Sequence, residues 1–146
     1  MNIRHLACAL FAATCVGACG VAPSAEENAS VDAAVQAFYD LQSSGQDEQI
    51  YENAATEFQA AGPVDTLKRI NTFVRAIEGC GPATKTPQFN WNRSLAGFFA
   101  TNVYARECRP GTLIETFTFK VENGEAKLVT YNIGGMAMFP LLEDAE

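Results

Sequence analysis

Apolar residues recur at helical spacing through the first half of the chain and alternate with polar ones through the second. Val31, Ala34, Val35, Phe38 and Leu41 follow the three-and-four rhythm of one helix face. Ser30 suits the N-cap of that helix, Asp32 its first turn, and Ser43-Ser44-Gly45 its end. A second helical stretch is predicted from Asp47, with Ile50, Ala54 and Phe58 on one side. A third begins at Pro63, presents Leu67, Ile70, Val74 and Ile77 as its buried stripe, and stops at Gly79. Beyond Pro82 the period falls to two, which predicts strands over 86–93, 96–108, 112–122 and 125–133. Asn123-Gly124 is a strong hairpin signal, and Arg109-Pro110-Gly111-Thr112 reads as a second turn. Three N-terminal helices on one face of a four-stranded antiparallel sheet is an α+β pattern.

Upstream of that domain the pattern changes again. Arg4 and His5 precede the apolar run 6–14, which has the order of an export signal and is too short to span a bilayer. Val16-Gly17-Ala18-Cys19 resembles the lipobox of bacterial lipoproteins: an aliphatic residue, two small ones, then the cysteine that takes the lipid. The resemblance implies cleavage before Cys19 and a diacylglycerol on its sulfur. Gly20, where an aspartate would retain the protein at the inner membrane, implies the outer membrane facing the periplasm. The chain then divides into a signal peptide (1–18), a lipidated tether (19–29), the α+β domain (30–135) and an acidic tail (136–146). An ordinary secretory cleavage after Gly20-Val21-Ala22 is the competing reading, and Pro23 beyond the cut disfavours it.

Charge and cysteines narrow the possibilities. Ten basic residues against seventeen acidic ones give a net charge of −7, and loss of Arg4 with the signal makes the mature chain more acidic still. Such a surface repels phosphate backbones, so nucleic acid is not an expected partner, and membrane contact is expected through the lipid anchor. Of five cysteines, Cys8 and Cys15 leave with the signal and Cys19 is lipidated. Cys80 and Cys108 remain, and in an oxidising envelope they are expected to form a structural disulfide. The single histidine, His5, also leaves, which removes histidine-based triads and metal sites from the mature protein. Neither a metal nor a cofactor is expected, and the balance leans away from an enzyme.

The order of elements resembles the nuclear-transport-factor-2-like superfamily, also called cystatin-like or SnoaL-like. The resemblance rests on Val35-Gln36-Ala37-Phe38-Tyr39-Asp40, Ile50-Tyr51-Glu52-Asn53-Ala54, Glu115-Thr116-Phe117-Thr118-Phe119 and Lys127-Leu128-Val129-Thr130-Tyr131-Asn132-Ile133. It implies that the helices fold against a curved sheet to form a cone, that a cavity lies within, and that homodimers occur.

A loop centred on Asn123-Gly124 would place Phe119 opposite Leu128, Phe117 opposite Thr130 and Glu115 opposite Asn132. One centred on Pro110-Gly111 would place Arg106 opposite Glu115 and Tyr104 opposite Phe117. Tyr104, Arg106, Glu115, Phe117 and Asn132 then form the candidate cavity, whereas Tyr131 falls on the other side, over a dimer surface. A carboxylate sharing a face with Phe117 and Phe119 is either paired or holds its proton too tightly. The bland reading of Arg106–Glu115 is a cross-strand ion pair at the wet end of the sheet. Phe89 and Trp91 read as packing residues beneath the helices, and of adjacent Phe98 and Phe99 one must face away from the core.

Three functions remain open. The first is a non-catalytic lipoprotein that binds a small apolar or polar ligand or a protein partner. The second is an isomerase- or dehydratase-like enzyme with Glu115 as base and Tyr104 and Arg106 as polarising groups. The third is a dimeric scaffold in an envelope complex.

Overall fold

Ser24, six residues before the expected Ser30, caps the first helix. Its hydroxyl accepts from the Glu27 N–H at 3.1 Å while the Glu27 carboxylate accepts from the Ser24 N–H at 2.8 Å, a closed capping box. Residues 25–29, assigned by sequence to the tether, are therefore helical. Ser30 instead reaches out of the helix, its Oγ donating to the Gly124 carbonyl at 2.9 Å. The computed structural model describes residues 22–135. The signal segment, Cys19 and the acidic tail lie outside them.

Four helices and four strands make up this α+β chain: α1 (Ala25–Ser43), α2 (Asp47–Asn53), α3 (Thr56–Ala61), α4 (Val64–Ala76), β1 (Thr84–Ser94), β2 (Gly97–Cys108), β3 (Gly111–Glu122) and β4 (Glu125–Gly134). The single helical stretch expected from Asp47 is thus two short helices. Extended backbone at Ala54 and Ala55 breaks it, and the Ala55 N–H leaves the helix to bond the Leu128 carbonyl of β4 at 2.9 Å.

The strands form one unclosed antiparallel sheet in the order β1-β2-β3-β4. On one face lie Phe98, Ala100, Tyr104, Leu113, Phe117, Phe119, Val121 and Leu128, all buried. Val31, Val35 and Phe38 of α1 and Leu67 of α4 join most of them in a single core. The apolar spacing of α1 decides which side of that helix meets the sheet. Phe98 faces this core at 2% exposure, and Phe99 lies on the other face under the Lys120 ammonium.

Two register details matter. At the β2–β3 hairpin Cys108 pairs with Gly111, so the loop is Arg109-Pro110 rather than Pro110-Gly111. Tyr104 is therefore opposite Glu115, and Arg106 is opposite Leu113. The shift is two residues, so each side chain keeps its face. At β3–β4 the expected pairs hold from Glu122–Glu125 to Phe119–Leu128, and then Val129 is an extra residue before Thr118–Thr130. This bulge reverses the faces of everything after it. Phe117 pairs with Tyr131 rather than Thr130, and Glu115 with Ile133 rather than Asn132.

The two margins of the sheet differ. Along β4, Ala55 just before α3 bonds the edge at Leu128. Along β1, the pairing slips between Lys85 and Phe89, around Pro87, which has no N–H to offer. Beyond α4, Cys80 and Cys108 are joined across a separation of 28 residues, flanked by backbone bonds from Gly81 to Glu107 and from Arg109 to Glu78.

Candidate functional site

Glu115 has no solvent exposure at all, and three donors surround it. Arg106 Nε donates to its Oε2 at 2.7 Å and Tyr39 Oη to the same oxygen at 3.1 Å. Tyr131 Oη donates to Oε1 at 2.7 Å. Arg106 reaches the carboxylate diagonally, from two places along β2 beyond the register partner, and its guanidinium stacks 4.5 Å above the Tyr39 ring.

The cluster continues inward. Arg106 Nη2 donates to Gln42 Oε1 at 3.2 Å, and buried Gln42 Nε2 donates to Tyr131 Oη at 3.1 Å and to Asn71 Oδ1 at 2.9 Å. Asn71 Nδ2 donates to Asp47 Oδ1 at 2.8 Å, and Arg75 grips both oxygens of Asp47 at 3.0 Å. Two arginine–carboxylate pairs joined by two amides thus tie α1, α2, α4, β2, β3 and β4 together. Among the described residues no buried side-chain nitrogen or oxygen lacks a partner. A network satisfied throughout costs little to bury and fixes one arrangement of the elements around it.

The titration behaviour follows from this packing. Burial, and then the Glu115 charge, hold the Tyr131 and Tyr39 phenols far above their usual range. Burial also pushes Tyr104 up to about 12, helped by the Asp32 charge. For Asp47 burial raises the carboxyl, but the bonds from Arg75 and Asn71 outweigh it and hold the carboxyl below its ordinary value.

Of the five residues expected at the cavity, Arg106, Glu115 and Phe117 come together, with Phe117 fully buried beneath the Tyr39 and Tyr131 rings. Tyr104 is buried beside them, edge-on to Tyr39 and Phe117, but the bonds to Glu115 come from Tyr39 and Tyr131 instead. Asn132 is not there. The bulge at Val129 turns it outward, where it is exposed opposite Thr116. The same reversal brings Tyr131 from the expected outer surface into the core.

Sequence reasoning also missed Tyr39, Gln42, Asp47, Asn71 and Arg75. A signal was present for two of them: Gln42 continues the apolar stripe Val31–Val35–Phe38 of α1, and Asn71 interrupts Leu67 and Val74 on α4. A polar residue at a core position of a helix stripe needs a buried partner.

Besides a surface groove of about 570 Å³ that reaches Tyr131 past Ile70, Phe73 and Ile133, two clefts adjoin the cluster. One, of about 420 Å³, has Tyr39, Asp40, Arg75 and Arg106 among its walls. Arg106 and Tyr39 stand between it and Glu115. The other, of about 220 Å³, is walled by Tyr51, Phe58, Pro63, Leu67, Ile70 and Val129 where α2–α4 meet β4. It is smaller than the roughly 300–1,000 Å³ of small-molecule sites and large enough for one apolar side chain. Among the described residues no group of histidine, cysteine and acidic side chains is placed to hold a metal ion, and no helix is long and apolar enough to cross a membrane. No family model and no curated protein matches the chain.

Proposed function

We propose that this chain is a lipoprotein of the bacterial envelope, anchored through Cys19, whose cone-like domain of the nuclear-transport-factor-2-like type binds a protein partner without catalysis. The observation that carries the non-catalytic part is the closure of Glu115. A general base must lie within hydrogen-bond reach of the proton it takes. Here both oxygens are already held by Arg106, Tyr39 and Tyr131, in a site with no exposure. The cleft of about 220 Å³ beside β4, walled by Phe58, Leu67 and Ile70, would take one apolar side chain of a partner.

Place is supported by Val16-Gly17-Ala18-Cys19 behind an apolar run of export-signal length. Mass spectrometry of protein from native membranes tests it: an acyl mass on Cys19 is expected, and an unmodified residue would overturn the anchor. A water-soluble carbodiimide tests the closed carboxylate. Surface acids such as Glu78 and Glu125 should be labelled while Glu115 is spared. Labelling of Glu115 in the folded protein would put the enzyme reading ahead of the non-catalytic one.

A further inference from the structure

We infer that the β1–β2 hairpin tip is a second membrane contact, with Leu95 dipping into the lipid surface to which Cys19 is tethered; this rests on the anchor proposed above. Among the described residues the large apolar side chains left in water are Phe89 and Leu95, and Leu95 is the more extreme, at 110% exposure. It lies in the two-residue loop Leu95-Ala96 between the paired Ser94 and Gly97. The other hairpin loops, Arg109-Pro110 and Asn123-Gly124, carry the polar and turn-forming residues that water favours.

The apolar loop also lies at the anchored end. Phe98 pairs with Val121, so the Leu95-Ala96 and Asn123-Gly124 loops project from the same end of the sheet. The start of α1 is fastened there twice. Arg93 Nη2 bonds the Glu27 carboxylate at 2.8 and 2.9 Å, and Ser30 Oγ bonds the Gly124 carbonyl at 2.9 Å. From Ser24 back to Cys19 is only five residues, a reach of at most about 18 Å when fully extended. A lipid on Cys19 therefore holds this end of the domain, and no other, against the leaflet.

Charge identifies the kind of contact. The anchored end carries Glu26, Glu27, Glu122 and Glu125 against Arg93, Lys120 and Lys127, and those three cations are all engaged by carboxylates. Among the described residues there no unpaired cation attracts anionic headgroups, so the contact is an apolar one with the acyl boundary.

The test uses the mature protein purified from native membranes and mixed with vesicles of phosphatidylethanolamine and phosphatidylglycerol. With Cys19 acylated and Cys80–Cys108 bonded, Leu95→Cys supplies one free thiol for an environment-sensitive fluorophore. Gln46→Cys, exposed beyond the far end of α1, is the reference. At position 95 the emission is expected to move to the blue on vesicles and to be quenched by nitroxide-labelled lipid; at position 46 neither change is expected. Protein that floats with the vesicles and carries the acyl mass, yet shows position 95 as wet as position 46, overturns this contact and leaves the anchor standing. Protein that neither floats nor carries the mass overturns both, and the flotation readout tells the two failures apart.

Discussion

Tyr131 donates to Glu115 at 2.7 Å across the β3–β4 ladder although the two are not register partners. The extra residue Val129 makes this possible, because it turns Tyr131 to the inner face two places short of Ile133. Removing the phenol leaves a buried carboxylate oxygen without its donor. Tyr131→Phe is expected to destabilise the domain by about 1.5–3 kcal/mol, the range for hydrogen bonds to charged groups. Urea unfolding followed by near-ultraviolet circular dichroism measures it; a cost near zero would mean that Glu115 finds another donor.

Glu115 itself should matter more. Glu115→Ala strands the Arg106 guanidinium, whose side chain is only 18% exposed, and is expected to cost about 3–5 kcal/mol. Glu115→Gln keeps an acceptor for Arg106 and should cost less than the alanine variant. Equal losses for the two in the same unfolding experiment would show that shape, not charge, decides at this position.

Stability should fall in acid partly through Asp47. Its folded carboxyl titrates below the ordinary 3.8, so its contribution is present above that value and is lost as the pH falls through the folded value. Asp47→Asn is expected to be less stable at neutral pH, and its deficit should shrink as the pH drops below 3.8. A deficit independent of pH would assign the loss to packing alone.

The alkaline limb has the opposite sign. Tyr104 is raised from 10 to about 12, and Tyr39 and Tyr131 further still, so their contribution is intact below pH 10 and declines above it. Phenolate absorbance from these three is expected to appear together with unfolding. Ionisation of all three in a chain that keeps its native circular dichroism would contradict their burial.

Cys80–Cys108 closes a 28-residue separation, for which the chain-entropy account gives about 3–4 kcal/mol. Reduction, or the double replacement Cys80→Ala and Cys108→Ala, should lower the unfolding midpoint accordingly. A midpoint unchanged by reductant would show that the flanking backbone bonds from Gly81 and Arg109 hold the segment unaided.

Much of the architecture was legible because it depends on period and punctuation. The stripes of α1 and α4, the four strand regions and Asn123-Gly124 all announce themselves locally. So did the faces of Arg106 and Glu115, since misplacing the Arg109-Pro110 loop by one residue moves each cross-strand partner by two and leaves parity intact. The bulge was not legible. Leu128-Val129-Thr130-Tyr131 holds no glycine or proline to mark an extra residue, and what fixes it is tertiary: Tyr131 gains the core and Glu115 gains a donor. Asn132 was misassigned for the same reason. Tyr39 and Asp47 escaped notice because helix periodicity shows which face is apolar and is silent on which carboxylate or arginine waits across the gap.

Strand margins are where folded chains most readily stick to their neighbours. In this protein the Ala55–Leu128 bond occupies one point of the β4 margin, and Pro87 interrupts the β1 margin only between Lys85 and Phe89. The regular run Phe89–Ser94 beyond it stays open, so crowded copies could add a strand there and nowhere else along β1.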